Sequence, residues 1–519
     1  MAESRGSLQS RAARGVMWTG VHTLVSLPVA FVVNLLLARV LGAADYGRLA
    51  LLTAILEVAG VVVGLGVGTA VLQFGAKAHA RGDRNAVRAL LSKSQGFRLL
   101  WTAPIVTGVV VLFANAPAGL LIAALLFGVW LPAATSGGPA CLALENKADR
   151  GAQVAMVTNL FLQTAVVITV VTVATADAVW LVRLVVGGVS AAATLIFVSK
   201  DYRRAVLAPR LPIRFPSGFW KFALPTGASA IIGTLVASRT EVLFLDRLAT
   251  AEQVGIFALA YGLSTHIFAP VQTLMNPLVP AISGLREVDA PTLGRALSRS
   301  LRVTSTVAGL MVASALPALA LLVPLLYGAE FTEASGMFLA LGAAAGLAVL
   351  GSPMRIFVLS QLRGGSLLWV DVAALVVAVT AMIFTIPIYG AWGAVLAKIA
   401  SSATQLLLVS AVELRSGTLG VVQTFRAVGP SLIACVALGV AWTAGSLIGV
   451  HPLVGAIVAG FLGLTFFMGG LRVAKTGLTD ADAVLVLTTL PRSLRRLVGP
   501  VLRSLTWSHE PELDNGYSP

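Results

Sequence analysis

Leu35-Leu-Leu-Ala-Arg-Val-Leu-Gly-Ala-Ala-Asp-Tyr-Gly-Arg-Leu-Ala50 is a short turn, with one glycine at each end of its polar centre, between two long apolar runs. The runs cover residues 15–38 and 48–72, and each is long enough to cross about 30 Å of hydrocarbon as a helix. Within lipid every backbone N–H and C=O must be satisfied inside the segment, so continuous runs of this length are helices. The alternation over about 10 residues that marks a membrane barrel is absent.

The rest of the 519-residue chain repeats that pattern. Hydrophobic residues make up 57% and charged residues 11%, with a mean hydropathy of +0.90, whereas a soluble domain carries about 25% charged residues. Twelve further runs follow the first two, at about 97–115, 118–142, 153–175, 178–199, 218–245, 254–282, 301–326, 335–360, 366–388, 391–412, 428–449 and 452–471. The expectation is an all-α integral membrane protein of about fourteen transmembrane helices.

Charge sets the orientation. The net charge of +15 invites a nucleic-acid reading, but the cations are not gathered on a soluble face. They sit between apolar runs, and 29 of the 37 lysines and arginines fall on one side of the alternating layout. Among them are Arg5, Arg11 and Arg14, the group Lys77 to Arg98, Lys200 to Arg214, Arg286 to Arg302, and Arg492, Arg495, Arg496 and Arg503. The opposite loops, such as Asn115-Ala-Pro117, are short and nearly free of them. The positive-inside rule then puts both termini in the cytoplasm of a multi-pass membrane protein. The first apolar run, about 24 residues, exceeds a secretory h-region and reads as an uncleaved helix.

The opening stretch has a counterpart 208 residues later, Leu243-Phe-Leu-Asp-Arg-Leu-Ala-Thr-Ala-Glu-Gln-Val-Gly-Ile-Phe-Ala258. Six of sixteen positions are identical, and Arg39/Arg247 and Gly47/Gly255 are the informative ones because leucine and alanine coincide by chance in apolar helices. Six helices separate the copies, so both run the same way. That predicts two six-helix bundles in a parallel pseudo-two-fold repeat, residues 15–199 and 218–412, joined by a basic cytoplasmic linker, 200–217. A basic N-terminus, 1–14, two additional helices, 428–471, and a basic amphipathic cytoplasmic tail, 472–519, complete the expected layout. Duplicated halves are common in transporters, with the substrate between them.

Ala38-Arg-Val-Leu-Gly-Ala-Ala-Asp-Tyr-Gly47 resembles the end of the first helix in bacterial polysaccharide-transport flippases of the multidrug/oligosaccharidyl-lipid/polysaccharide exporter superfamily. Ile386-Pro-Ile-Tyr-Gly-Ala-Trp-Gly-Ala394, followed by Ala397 and Ser401, is similar to the turn between that family's eleventh and twelfth helices. The resemblance extends to about residue 475 and implies translocation of a polyprenyl-diphosphate-linked oligosaccharide between leaflets, for surface polysaccharide. The charged helix ends of the lipid II flippase branch are not matched, which places that branch behind.

Charges inside apolar runs cost at least about 2.5 kcal/mol each and are functional candidates by default. Arg183, Arg239, Arg355 and Lys398 are the candidate cavity cations for a diphosphate or acidic sugar, arginine through its two-pronged geometry and lysine as a point charge. Arg39 and Arg247, with Gly47 and Gly255, mark helix ends and candidate gating positions. Glu57 and His22 are the candidate coupling groups for a proton or sodium ion, and Glu241, Asp246 and Asp371 complete the acidic set. Competing readings are local: Arg39, Arg247, Asp246 and Asp371 sit near an interface, where they can snorkel or pair, and Arg239 can pair with Glu241. Prolines at 28, 104, 132, 225, 270, 277, 317, 353 and 387 are candidate kinks.

Several functions are disfavoured. No G-x-x-x-x-G-K-[ST] or H-E-x-x-H pattern occurs, and Cys141 and Cys435 lie in apolar runs without metal spacing, so no cofactor or metal is expected. The outer loops are too short for a polysaccharide polymerase. An ion-coupled multidrug exporter of the same superfamily is the main rival, since the membrane charges favour cations by only six to four. Membrane lipids and proteins of polysaccharide assembly are the remaining expected partners; nucleic acid is not.

Overall fold

The computed structural model describes residues 5–145, 147–237, 240–268, 293–361, 364–415, 421–448 and 451–479, together with 271, 482, 499, 505 and 506. Among these, no strand occurs, and only an isolated parallel bridge joins Leu478 to Thr506. Twelve described helices are long and apolar enough to cross a membrane. The expected fourteen differ from this by two. The first expected span and most of the second lie in Arg5–Gly64, two helices joined across a kink at Gly42 that count as one crossing, and the span at 254–282 is described only to residue 268.

Gly42 makes that break with φ 73 and ψ 177, a conformation open to glycine alone. The next break, Leu65 and Gly66, uses two consecutive positive φ values and redirects the chain into Val67–Ala80. Asp83 then accepts a hydrogen bond from the Ala86 N–H at 2.9 Å and starts the helix Arg84–Phe97.

The kinks have a common cause. Wide π turns at Arg98–Thr102, Ala124–Trp130 and Met311–Ala315 each run into a helix whose second residue is proline: Pro104, Pro132 and Pro317. Proline lacks an N–H and its ring collides with the preceding turn, and a widened turn absorbs both defects. Pro28, Pro225, Pro353 and Pro387 lie inside helices, whereas residues 270 and 277 fall outside the described set.

The chain divides into two compact units, residues 1–258 and 259–519. In the first, a core of Val67, Val71, Leu90, Leu91, Leu142, Tyr202 and Phe219 gathers the helices that follow Gly66. Here the linker is not loose: Ser92 Oγ donates to the Ala205 carbonyl at 2.8 Å, and Arg210 N–H donates to the Ser92 carbonyl at 3.0 Å. In the second, Leu297, Leu301, Met354, Phe357 and Val409 pack three helices together. The hairpin of Gly364–Tyr389 and Ala391–Arg415 turns at Gly390, whose φ of 55 suits a glycine helix stop. Gly393 sits so near the Thr385–Ile386 backbone that an added Cβ would lie 2.4 Å from it, which accounts for both glycines of the 386–394 stretch.

The outward faces are apolar. Leu112, Phe161, Val171, Trp369, Phe384, Ile388 and Ile457 are all more than 60% exposed, on helices from both units. Side chains of this size in such number face lipid rather than water.

Candidate functional site

Each unit holds its own charged groups. In the second, Arg355 on the helix Thr332–Ser360 meets Asp371 on Gly364–Tyr389. Arg355 Nη1 donates to Asp371 Oδ1 at 2.8 Å and Nη2 to Oδ2 at 2.9 Å, a two-pronged pair. Gln405, from Ala391–Arg415, donates its Nε2 to Oδ1 at 3.1 Å, so three helices converge on one carboxylate. The Asp371 side chain is 7% exposed and that of Arg355 31%.

Lys398 lies two turns before Gln405 on the same helix, and its Nζ stands 5.0 Å from the centre of the Tyr261 ring. A ring face attracts a cation without neutralising it. Arg355 and Lys398 are thus two cations of one unit held by different means: the first by a carboxylate, the second in part by an aromatic face.

In the first unit, Arg183 is half-buried on Ala176–Ala193, a helix whose start is fixed by Asp177 pairing with Arg48 Nε at 2.8 Å. Arg39 is exposed, and Arg247 is 64% exposed with Asp246 at 3.9 Å, a loose surface pair. Glu57 is exposed as well. A cleft of about 270 Å³ opens between Leu51, Ile55, Val109, Phe113 and Leu243, with Asp246 and Arg247 at its edge. Arg239 and the His22 side chain lie outside the described residues.

Gly47 and Gly255 do meet. A Cβ on Gly47 would lie 2.2 Å from the Ala251 carbonyl oxygen, and one on Gly255 would lie 1.9 Å from that of Ala43. Ala43/Ala251 and Gly47/Gly255 are equivalent positions of the repeat, so the contact recurs with its roles exchanged, as a local two-fold requires.

Two polar groups were not singled out by the sequence. Arg98, read as a cytoplasmic loop cation, lies within the apolar helix run Arg84–Phe113 and donates Nη1 to Ser136 Oγ at 2.5 Å. Gln95, 1% exposed, donates to the Ala133 carbonyl one turn earlier. The dense basic stretch between residues 77 and 98 hides the point at which the chain enters the membrane. Outside the spans, His79 Nδ1 contacts the Tyr202 hydroxyl at 2.8 Å, and burial raises the Tyr202 pKa above the usual phenol value, so it stays a neutral hydroxyl.

Comparison with known proteins agrees with this architecture. Residues 36–336 match the model of a family described as polysaccharide biosynthesis protein. Among solved structures, the lipid II flippase MurJ in an inward closed conformation is similar with a TM-score of 0.65 and 11% identity, over 88% of this chain and 99% of that one. An inward-facing multidrug resistance MATE family transporter of the MOP superfamily gives 0.58 and 14%, over 74% and 94%. At such identities the likeness is one of fold. No curated protein matches.

Proposed function

This chain belongs to the polysaccharide biosynthesis protein family, and from that premise we propose that it is a flippase of the multidrug/oligosaccharidyl-lipid/polysaccharide superfamily that moves a polyprenyl-diphosphate-linked oligosaccharide across the bacterial cytoplasmic membrane. The observation that carries the reading is the Arg355–Asp371–Gln405 group. Arg355 already holds two oxygens in the fork geometry that a phosphate also fits. A diphosphate arriving at Arg355 would exchange one anionic partner for another. Asp371 keeps that site closed to neutral solutes, and Gln405 holds the carboxylate in place while Arg355 is engaged. Lys398, over Tyr261, would add attraction at longer range, and Arg183 and Arg239 are the proposed headgroup cations of the first half of the chain.

The expected layout of two six-helix bundles, 15–199 and 218–412, suits alternating access, with both termini on the cytoplasmic side as the charge distribution directs. Glu57 and His22 are the proposed coupling groups for a proton or sodium ion. Multidrug export is the second reading. It is favoured by the Asp371 carboxylate, which would be the natural partner of a cationic drug if Arg355 swung away.

Binding decides between them. A short-chain polyprenyl diphosphate is titrated into purified protein in detergent, followed by the thermal shift it produces. Stabilisation by the diphosphate that falls at least about tenfold in apparent affinity in Arg355→Gln supports the flippase. Stabilisation by lipophilic cations alone, abolished in Asp371→Asn, overturns it.

A further inference from the structure

The linker between the span that ends at Phe197 and the span that begins at Phe219 starts and finishes at the membrane boundary, on one side. Its first part is the helix Lys200–Leu207. Tyr202, Ala205 and Val206 are buried in the core of the first unit, and their spacing puts them on one face. Lys200, Arg203, Arg204 and Leu207 recur at the same spacing on the opposite face, where Lys200, Arg204 and Leu207 are exposed.

Beyond that helix the chain is strapped down through its backbone. Arg210 N–H donates to the Ser92 carbonyl at 3.0 Å, and Lys93 Nζ donates to the Arg214 carbonyl at 2.9 Å. Gly96 lies so close beneath Arg210 that a Cβ there would collide with its carbonyl oxygen. Phe215 then stacks on Phe219 with ring centres 4.4 Å apart, and Trp220 meets Phe97 at 5.1 Å. The strap is held in place along its length, and so is the side it turns outward.

That side mixes two kinds of group. Leu207, Leu211 and Ile213 are 59%, 65% and 60% exposed. Between and beside them Arg204, Arg210 and Arg214 are exposed as well, and none of the three forms an ion pair with a carboxylate among the described residues. Residues 200–214 carry five basic side chains against one acid, Asp201. Water would suit the arginines and lipid tails the aliphatic residues. Only the headgroup layer suits both, because there cations meet phosphate while aliphatic side chains reach the acyl boundary. The ends of the two flanking spans set the strap at that depth.

We propose that residues 200–214 form a docking surface for anionic phospholipid, with Arg204, Arg210 and Arg214 on headgroup phosphates and Leu207, Leu211 and Ile213 in the acyl boundary. The inference goes beyond the transport reading and stands apart from it, because its readout is the depth of the linker. Leu211→Cys is made in a Cys435→Ala background, which leaves only the buried Cys141 beside it, and is given a nitroxide label. The full chain is placed in phosphatidylcholine nanodiscs, with and without phosphatidylglycerol. Collision of the label with a neutral nickel chelate, which stays in water, is measured against collision with oxygen, which concentrates in lipid. Phosphatidylglycerol should lower nickel access about fivefold or more, the contribution of a single basic side chain at an anionic surface. In Arg204→Gln/Arg210→Gln/Arg214→Gln that response should be lost, and a response that survives there would refute the role of the arginines. Equal nickel access in the two lipids would overturn the proposal: with oxygen access high it would assign a neutral-lipid contact, and with oxygen access low a protein cover.

Discussion

The two copies of the repeated junction make the same turn by different physical means. In the first, Gly42 breaks the helix through its backbone, at a φ of 73. Its counterpart 208 residues on is Thr250, which cannot adopt that conformation cheaply and instead ends one helix and caps the next, its Oγ1 accepting from the Gln253 N–H at 3.3 Å. What the copies share is not the turn but the contact beyond it, where Gly47 and Gly255 each press on the other's Ala-Gly backbone. The two stretches share the glycine whose replacement has no local remedy and differ at the position that another residue can fill. Arg39 and Arg247, identical yet exposed, belong with the tolerant positions in this comparison.

Breaking the shared contact should cost most. Gly255→Val puts atoms inside the van der Waals radius of the Ala43 backbone, which cannot rotate away as a side chain can. A loss of about 3 kcal/mol or more is expected, seen as failure to purify or a collapsed Tm. Gly47→Val should match it, and a mild effect in either would end the two-fold account of the junction. Next comes Gly42→Ala, which strains the backbone by about 1–3 kcal/mol, read as a lower Tm with folding retained. Thr250→Ala removes a side-chain cap and should cost about 1 kcal/mol. If Thr250→Ala proved worse than Gly42→Ala, the two turns would not be solved as described. Arg39→Gln and Arg247→Gln should each move stability by less than about 0.5 kcal/mol. A large loss of substrate exchange with unchanged Tm in either would promote that arginine from surface residue to gate.

These positions also mark what was legible in the sequence. The apolar runs, the turn at residues 38–48 and the pairing of position 47 with 255 follow from composition and a fixed offset, because each is a local or periodic property. The Gly47–Gly255 contact itself is only hinted at by a shared glycine. Arg355 was visible as a buried cation, but its partner was not. Asp371 is sixteen residues away on the next helix, and periodicity does not say which faces of two helices meet. Its position near an interface suggests local pairing, whereas the partner it has is the candidate site's own arginine. Arg98 was hidden for the opposite reason: cations on one side of it made the whole stretch read as a loop.

Leaflet exchange tests the central claim most directly. The protein is reconstituted in liposomes with a fluorescent polyprenyl-diphosphate oligosaccharide, and the accessible label is quenched from outside over time. The account predicts protein-dependent exchange that Arg355→Gln/Asp371→Asn, which leaves neither charge of the pair unpartnered, slows about tenfold or more, the loss expected for one charge-assisted pair of bonds. No exchange above that of empty liposomes, with headgroups of several kinds and with or without an ion gradient, would contradict it.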